Sequence, residues 1–282
     1  MFWNNTERNS KNIFFVRGFQ RSGTNWVSNL LNLHPDVSCT GEFHFKYLFQ
    51  AYQETIDSKH GLLARSPNKL NNLFEDFIKE TITSYNKSKA TVVGDRTPQL
   101  IKDLVITNSN YVLVQRDGRD VIVSWMYHLM RINHNFNSPL LERKKRLFQQ
   151  NSKHFEEHKS TLLLNNWVKR MAIYWNNHIV DDYKSIGFAK DGTYPINVYP
   201  LKYEDLCSNT DEIRYEMYKF LGVNPLSAKS LDNNTTPGFK KNNTLSHYRK
   251  GEVGRWKLYF SDEQNEIFKN YASQAMNILS YT

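Results

Sequence analysis

The apolar residues of this chain switch repeatedly between unbroken runs and helical spacing. Ile13-Phe14-Phe15-Val16 is apolar without interruption, the pattern of a strand buried on both faces. Trp26, Val27, Leu30 and Leu31 follow at helical spacing and predict a helix that stops by His34, because the residue before Pro35 is pushed out of the α region. Val37-Ser38-Cys39 predicts a second strand, and Leu70, Leu73, Phe74, Phe77, Ile78 and Ile82 predict an amphipathic helix. Thr91 to Gly94 reads as a third strand and Tyr111-Val112-Leu113-Val114 as a central one. Val121, Ile122, Trp125 and Leu129 mark the next helix; Trp167, Met171, Tyr174, Trp175 and His178 mark another. Ile196 to Tyr199 resumes the sheet, Ile213 to Leu221 forms a helix stopped by Gly222, and a terminal helix follows Lys257. Strands alternating with helices predict an α/β fold, a central parallel sheet flanked by helices, with ligands at the carboxyl edge of the strands.

Two stretches break the rhythm. Residues 131–160 are charged and contain proline, and are expected to be an insertion or lid within a single domain spanning 1–282. Pro225 to His247 is rich in Asn, Thr, Ser and Lys and is expected to be a mobile loop.

The chemistry sits where predicted strands end. Gly18 to Trp26, Gly-Phe-Gln-Arg-Ser-Gly-Thr-Asn-Trp, joins a strand to a helix, and the unpaired N–H groups and dipole of a helix opening favour an anion. The spacing of Gly18 and Gly23 fits the first half of a nucleoside-triphosphate P-loop, yet Thr24 and Asn25 stand where Lys and a Mg-ligating hydroxyl belong. A cation comes earlier, as Arg21, followed by Ser22. This pattern favours an anhydride held by fixed protein charge without a metal, over a P-loop kinase or other nucleoside triphosphatase.

The net charge of +9 suits nucleic acid, an acidic membrane surface or a multiply anionic small ligand. No nucleic-acid-binding module is recognisable, so a basic nucleic-acid-binding protein is the weaker alternative. The basic run Arg143-Lys144-Lys145-Arg146 is expected to be a solvated helical face. No stretch is long and apolar enough to span a bilayer, and Met1 to Lys11 lacks the pattern of a signal peptide. With Cys39 and Cys207 the only cysteines, a reducing, cytoplasmic location is expected.

Three separated motifs resemble the sulfotransferases that use 3′-phosphoadenosine 5′-phosphosulfate (PAPS). Phe19 to Trp26 resembles the loop that holds the 5′-phosphosulfate, which implies cofactor contacts from Arg21, Ser22, Gly23, Thr24, Asn25 and Trp26. Arg116-Asp117-Gly118-Arg119-Asp120-Val121 through Ser124-Trp125 resembles the 3′-phosphate motif, in which Arg116 and Ser124 grip that phosphate. Arg249-Lys250-Gly251 with Gly254 and Trp256-Lys257 resembles the motif that closes over the same phosphate in cytosolic members. Tyr203, in Tyr203-Glu204-Asp205, resembles a tyrosine near the nucleotide; it and Trp26 are candidates for adenine contacts.

Arg21, with His34-Pro35-Asp36-Val37 and Gly41-Glu42, is similar to tyrosylprotein and several carbohydrate sulfotransferases. The resemblance implies that Glu42 is the catalytic base, with His44 as its rival, and that Arg96 steadies the sulfuryl group. Gly94 to Pro98 carries no histidine, in contrast to the phenol and steroid enzymes, whose base lies in that region. The implied reaction is in-line transfer from PAPS to a hydroxyl acceptor, in which Arg21 and Arg96 stabilise the transferring group. A small molecule, a carbohydrate and a peptide tyrosine all remain open as the acceptor.

Overall fold

The computed structural model describes residues 11–58, 60–61, 65–132, 134–231 and 252–282. The unbroken apolar runs form a parallel sheet of β1 (Asn12–Gly18), β2 (Val37–Thr40), β3 (Val92–Arg96), β4 (Asn110–Gln115) and β5 (Asn197–Lys202), in the order β2-β3-β1-β4-β5. The helices are α1 (Thr24–Leu31), α2 (Lys46–Asp57), α3 (Pro67–Tyr85), α4 (Gly118–Arg131), α5 (Pro139–Gln150), α6 (His154–Glu157), α7 (Asn165–Lys190), α8 (Tyr203–Ser208), α9 (Thr210–Phe220) and α10 (Asp262–Leu279).

Helices cover both faces of the sheet, which is why its central strands carry apolar residues at successive positions. Phe14, Val16, Val112 and Val114 pack with Val27 and Leu30 of α1 and Met217 of α9. Their neighbours Ile13, Phe15, Tyr111 and Leu113 point the other way, against Phe49 of α2 and Ile78 and Ile82 of α3. A third core lies beside the sheet, where Met126 of α4, Phe148 of α5, Trp175 of α7 and Phe268 of α10 meet.

Two features, on α3 and on α5, depart from the sequence reading. The apolar stripe of α3 is broader than its buried face: Leu73 and Phe77 are exposed, whereas Glu75 is buried. Glu75 accepts hydrogen bonds from the Thr107 N–H (3.0 Å) and hydroxyl (2.7 Å) and pairs with Lys79 (3.0 Å). Burial alone would raise its carboxyl, but these partners hold it below the usual carboxylate range. Within 131–160 the described residues include α5, α6 and a 3-10 turn at Lys159–Thr161. Finally, the basic run on α5 is only half solvated. Arg143 and Arg146 are exposed, while Lys145 is buried and donates to the His134 carbonyl at 2.6 Å, and Lys144 donates to the Thr161 carbonyl. Both ammonium groups thus bond backbone carbonyls. The mobile loop expected at Pro225 to His247 begins with a 3-10 turn at Pro225–Ser227, and its part beyond residue 231 lies outside the described residues.

Candidate active site

The chain leaves β1 for β2 at the far edge, and β4 lies on the other side of β1. Loops therefore diverge at the β1/β4 boundary and open a crevice at the carboxyl edge of the sheet. The carboxyl ends of β2, β3, β1, β4 and β5 present Glu42, Arg96, Arg21, Arg116 and Tyr203, in that lateral order, Arg96 as the last residue of its strand and the others just beyond theirs. At about 4.8 Å between strands, the row spans about 19 Å. All five residues line one cavity of about 1070 Å³, together with Gly23, Thr24, Asn25, Trp26 and Ser124. Ser22 is buried beneath the loop, and its hydroxyl has no hydrogen-bond partner among the described residues.

At the centre, the chain turns from β1 into α1 through two left-handed residues, Arg21 (φ 70°) and Gly23 (φ 103°). Glycine is required at the second. A Cβ there would lie 2.5 Å from the Tyr203 ring, in a conformation that side chains rarely adopt. The α1 opening has no side-chain cap and no acidic residue in its first turn, so its N–H groups and dipole are available to an anion. Arg21 Nε donates to Ser124 Oγ at 3.3 Å, and Arg116 Nη1 donates to the Arg21 carbonyl at 3.3 Å. These two contacts join the β1 loop to the β4–α4 segment. Arg116 also lies over the Tyr203 ring, 4.3 Å from its centroid, an attractive cation–π geometry. Its Nε is buried with no hydrogen-bond partner among the described residues. Trp26 meets Tyr203 edge-on at 5.5 Å, and both rings belong to the core while their edges reach the cavity.

At the β2/β3 end, Glu42 Oε1 pairs with Arg96 Nη1, and Glu42 Oε2 lies 3.2 Å from His44 Nε2. Gly41 allows the two loops to approach, since a Cβ there would sit 2.3 Å from the Arg96 carbonyl oxygen. Below them is a buried ion pair that the sequence reading overlooked. Arg17 Nη1 contacts Asp95 Oδ2 at 2.9 Å, each side chain 1 % exposed. Asp95 Oδ1 accepts from the Thr97 hydroxyl at 2.8 Å and from the Phe43 N–H at 3.4 Å. One buried carboxylate thus ties the segment after Glu42 to the segment after Arg96. The available signal was Arg17 interrupting an apolar strand.

At the β4 end, Asp120 accepts the Gly254 and Trp256 N–H groups, each at 2.8 Å, and lies 3.8 Å from Arg116. Burial pushes its carboxyl above the usual range, against the opposing pull of Arg116 and the two N–H groups. Trp256 covers the Arg119 guanidinium at 3.8 Å. Arg255, which sequence reasoning missed, faces the cavity and pairs with Glu156 at 3.0 Å and with Glu252 at 3.2 Å. Arg249, Lys250 and Gly251 lie outside the described residues.

The remaining wall is one face of α7. Tyr174, Asn177, His178 and Asp181 recur at helical spacing and all reach the cavity. Tyr174 and His178 were read as part of an apolar stripe. The polar residues at 177 and 181, on the same face, were the missed signal.

A family model described as sulfotransferase domain matches residues 11–280. A comparison with curated proteins finds no match. Among solved structures, the chain is similar to mouse sulfotransferase SULT7A1 complexed with PAP, at 17 % identity, TM-score 0.50, covering 94 % of this chain and 84 % of that one. Retinol dehydratase in complex with androsterone and inactive cofactor PAP gives 16 % identity, TM-score 0.47 and coverage of 96 % and 82 %. The sulfotransferase domain of the Synechococcus PCC 7002 olefin synthase gives 13 %, 0.46 and coverage of 96 % and 98 %. At such identities structural likeness speaks for the fold alone, and the family model, which spans nearly the whole length, carries the assignment: the chain belongs to the sulfotransferase domain family.

Proposed function

We propose that the chain transfers a sulfuryl group from PAPS to a hydroxyl acceptor, with the nucleotide at the β1–β4–β5 side of the cavity and the acceptor at the β2–β3 side. The observation that supports this most directly is the contact between Arg116 and the Arg21 loop, which unites two cationic segments from distant parts of the chain in one cavity. The donor set fits a ligand with two separated anionic groups. Ser22 Oγ and Arg116 Nε are buried polar atoms without partners among the described residues, and such groups cost stability unless something bonds them.

PAPS, when bound, supplies an activated sulfuryl group on a phosphate that can depart. In this reading Arg21 and the N–H groups at the α1 opening stabilise charge on the departing phosphate oxygen, the kind of fixed electrostatic support that usually dominates such catalysis. Arg116 and Ser124 hold the 3′-phosphate, and Arg249, Lys250 and Gly251, outside the described residues, are further candidates to bind it. Trp26 and Tyr203 flank the adenine. Arg96 steadies the sulfuryl oxygens, and Glu42 accepts the proton of the attacking hydroxyl. The chain acts as one domain, with 131–160 as an insertion tied to the nucleotide end through Glu156 and Arg255.

The test is calorimetric titration with PAP, the desulfated nucleotide adenosine 3′,5′-bisphosphate, and with ATP in the presence and absence of Mg²⁺. Saturable PAP binding that does not need Mg²⁺ is expected. Tight Mg²⁺-dependent ATP binding without PAP binding would instead indicate a kinase or nucleoside triphosphatase.

A further inference from the structure

We infer that the α7 face presented by Tyr174, Asn177 and His178 is a subsite for a multiply hydroxylated, sugar-like acceptor. This rests on the proposed sulfuryl transfer and narrows its acceptor. The wall runs from Phe19 and Trp125, which Tyr174 and His178 pack against, to the Glu42 end of the cavity. Lys102 pairs with Asp181 at 2.6 Å, Ile101 N–H donates to Asp182 at 3.0 Å, and Asp103 pairs at 2.9 Å with Lys46, at the start of the helix that follows Glu42.

Two kinds of group meet there. Tyr174 is 51 % exposed and backed edge-on by Phe19 at 5.1 Å and by Trp125 at 5.9 Å, so it is an aromatic face held firmly but left uncovered. Beside it His178 is buried to 8 % exposure, packed edge-on against Phe19 at 5.0 Å, with Nε2 3.2 Å from Asp182 Oδ2. Neither Nε2 nor that Oδ2 has a hydrogen-bond partner among the described residues, so the imidazole brings an unsatisfied polar group to the cavity wall. Asn177 adds an amide, which both donates and accepts. An exposed aromatic face flanked by planar hydrogen-bonding groups suits a pyranose, whose C–H face stacks on a ring while its hydroxyls bond at the rim. A flat phenol or a steroid would leave Asn177 and His178 desolvated without partners, which costs affinity.

The experiment uses the full chain with labelled PAPS and four acceptors: cellobiose, N-acetyllactosamine, 4-nitrophenol and a steroid alcohol. Label is expected in one or both sugars at a rate at least tenfold above the phenol and the steroid. In parallel, tryptophan fluorescence with PAP bound, which needs no turnover, should show saturable sugar binding through Trp125. Tyr174→Ala and His178→Ala should each weaken that binding about tenfold with the PAP affinity unchanged. His178→Asn, which keeps a planar hydrogen-bonding side chain at that position, should recover part of the loss. Should His178→Ala fail to fold, the exposed Tyr174→Ala carries the test. Intact PAP binding with label only in the phenol or steroid, or with no sugar bound or labelled, overturns the sugar subsite and leaves the transfer reading standing. Absence of PAP binding removes both.

Discussion

The two ends of the cavity are assembled differently. On the β1–β4–β5 side most candidate nucleotide contacts fall in two short local segments, Arg21 to Trp26 in one turn and the start of α1, and Arg116 and Ser124 across the first turns of α4, which the Arg21–Ser124 and Arg116–Arg21 contacts then join. On the β2–β3 side the contacts join residues far apart in the chain. Glu42 and Arg96 are 54 positions apart, Arg17 and Asp95 78, and the facing wall is contributed by α7. An anion site can be written into one strand–turn–helix, because the helix opening supplies much of the binding. Positioning an acceptor beside a base requires several loops to be held at once, and that takes tertiary contacts.

If this division is right, substitutions at the two ends should have separable effects. The largest is expected at Glu42. Replacing the proposed base by Gln should lower turnover by about 10²–10⁴-fold, measured as label transferred from PAPS; a loss below threefold would leave His44 or solvent as the base.

Next is the buried pair under the β2–β3 loops. Arg17→Met strands the Asp95 carboxylate, and breaking such a pair costs about 3–5 kcal/mol, visible as a lower denaturation midpoint. The double substitution Arg17→Met with Asp95→Asn should regain much of the loss. Equal destabilisation by the single and double variants would mean that the pair itself is not what holds these loops.

At the nucleotide end, Gly23→Ala should destabilise by about 1–3 kcal/mol, from a Cβ driven against the Tyr203 ring and a strained backbone. It should also weaken PAP binding in calorimetry, since the α1 opening moves. Unchanged stability and affinity would show that the turn can relax.

The smallest effect is pH-dependent. Burial raises the Asp120 carboxyl in the folded state above its unfolded value. Ionising it therefore costs stability, and the cost grows as pH rises from about 4 through the folded value, then stays constant. Wild type should lose stability relative to Asp120→Asn across that window in urea melts. A difference independent of pH would remove the assigned shift.

The parallel α/β architecture was legible because the central strands are buried on both faces, which leaves unbroken runs such as Tyr111 to Val114. The residues at strand ends were legible too, as Gly18 to Trp26 and Arg116 to Ser124. Strand order was not, because nothing local in the runs says that β3 inserts between β2 and β1. Helix α2 was missed: Phe49 is its one fully buried residue, and Tyr47 and Leu48 are exposed. On α3 the apolar stripe misled, with Leu73 and Phe77 in solvent and Glu75 inside. Burial of Glu75 depends on Thr107, 32 residues away, and periodicity cannot see such a partner. The same holds for Arg17, whose place in a buried strand makes sense only once Asp95 lies beside it.

The division of the cavity is tested most directly by PAP affinity, measured by calorimetry for wild type, Arg116→Ala and Glu42→Gln. Removal of a charge-assisted contact worth about 1.5–3 kcal/mol predicts that Arg116→Ala weakens PAP binding roughly 10- to 150-fold, whereas Glu42→Gln stays within about twofold of wild type. Comparable losses in both variants, or an Arg116→Ala affinity equal to wild type, would contradict the account.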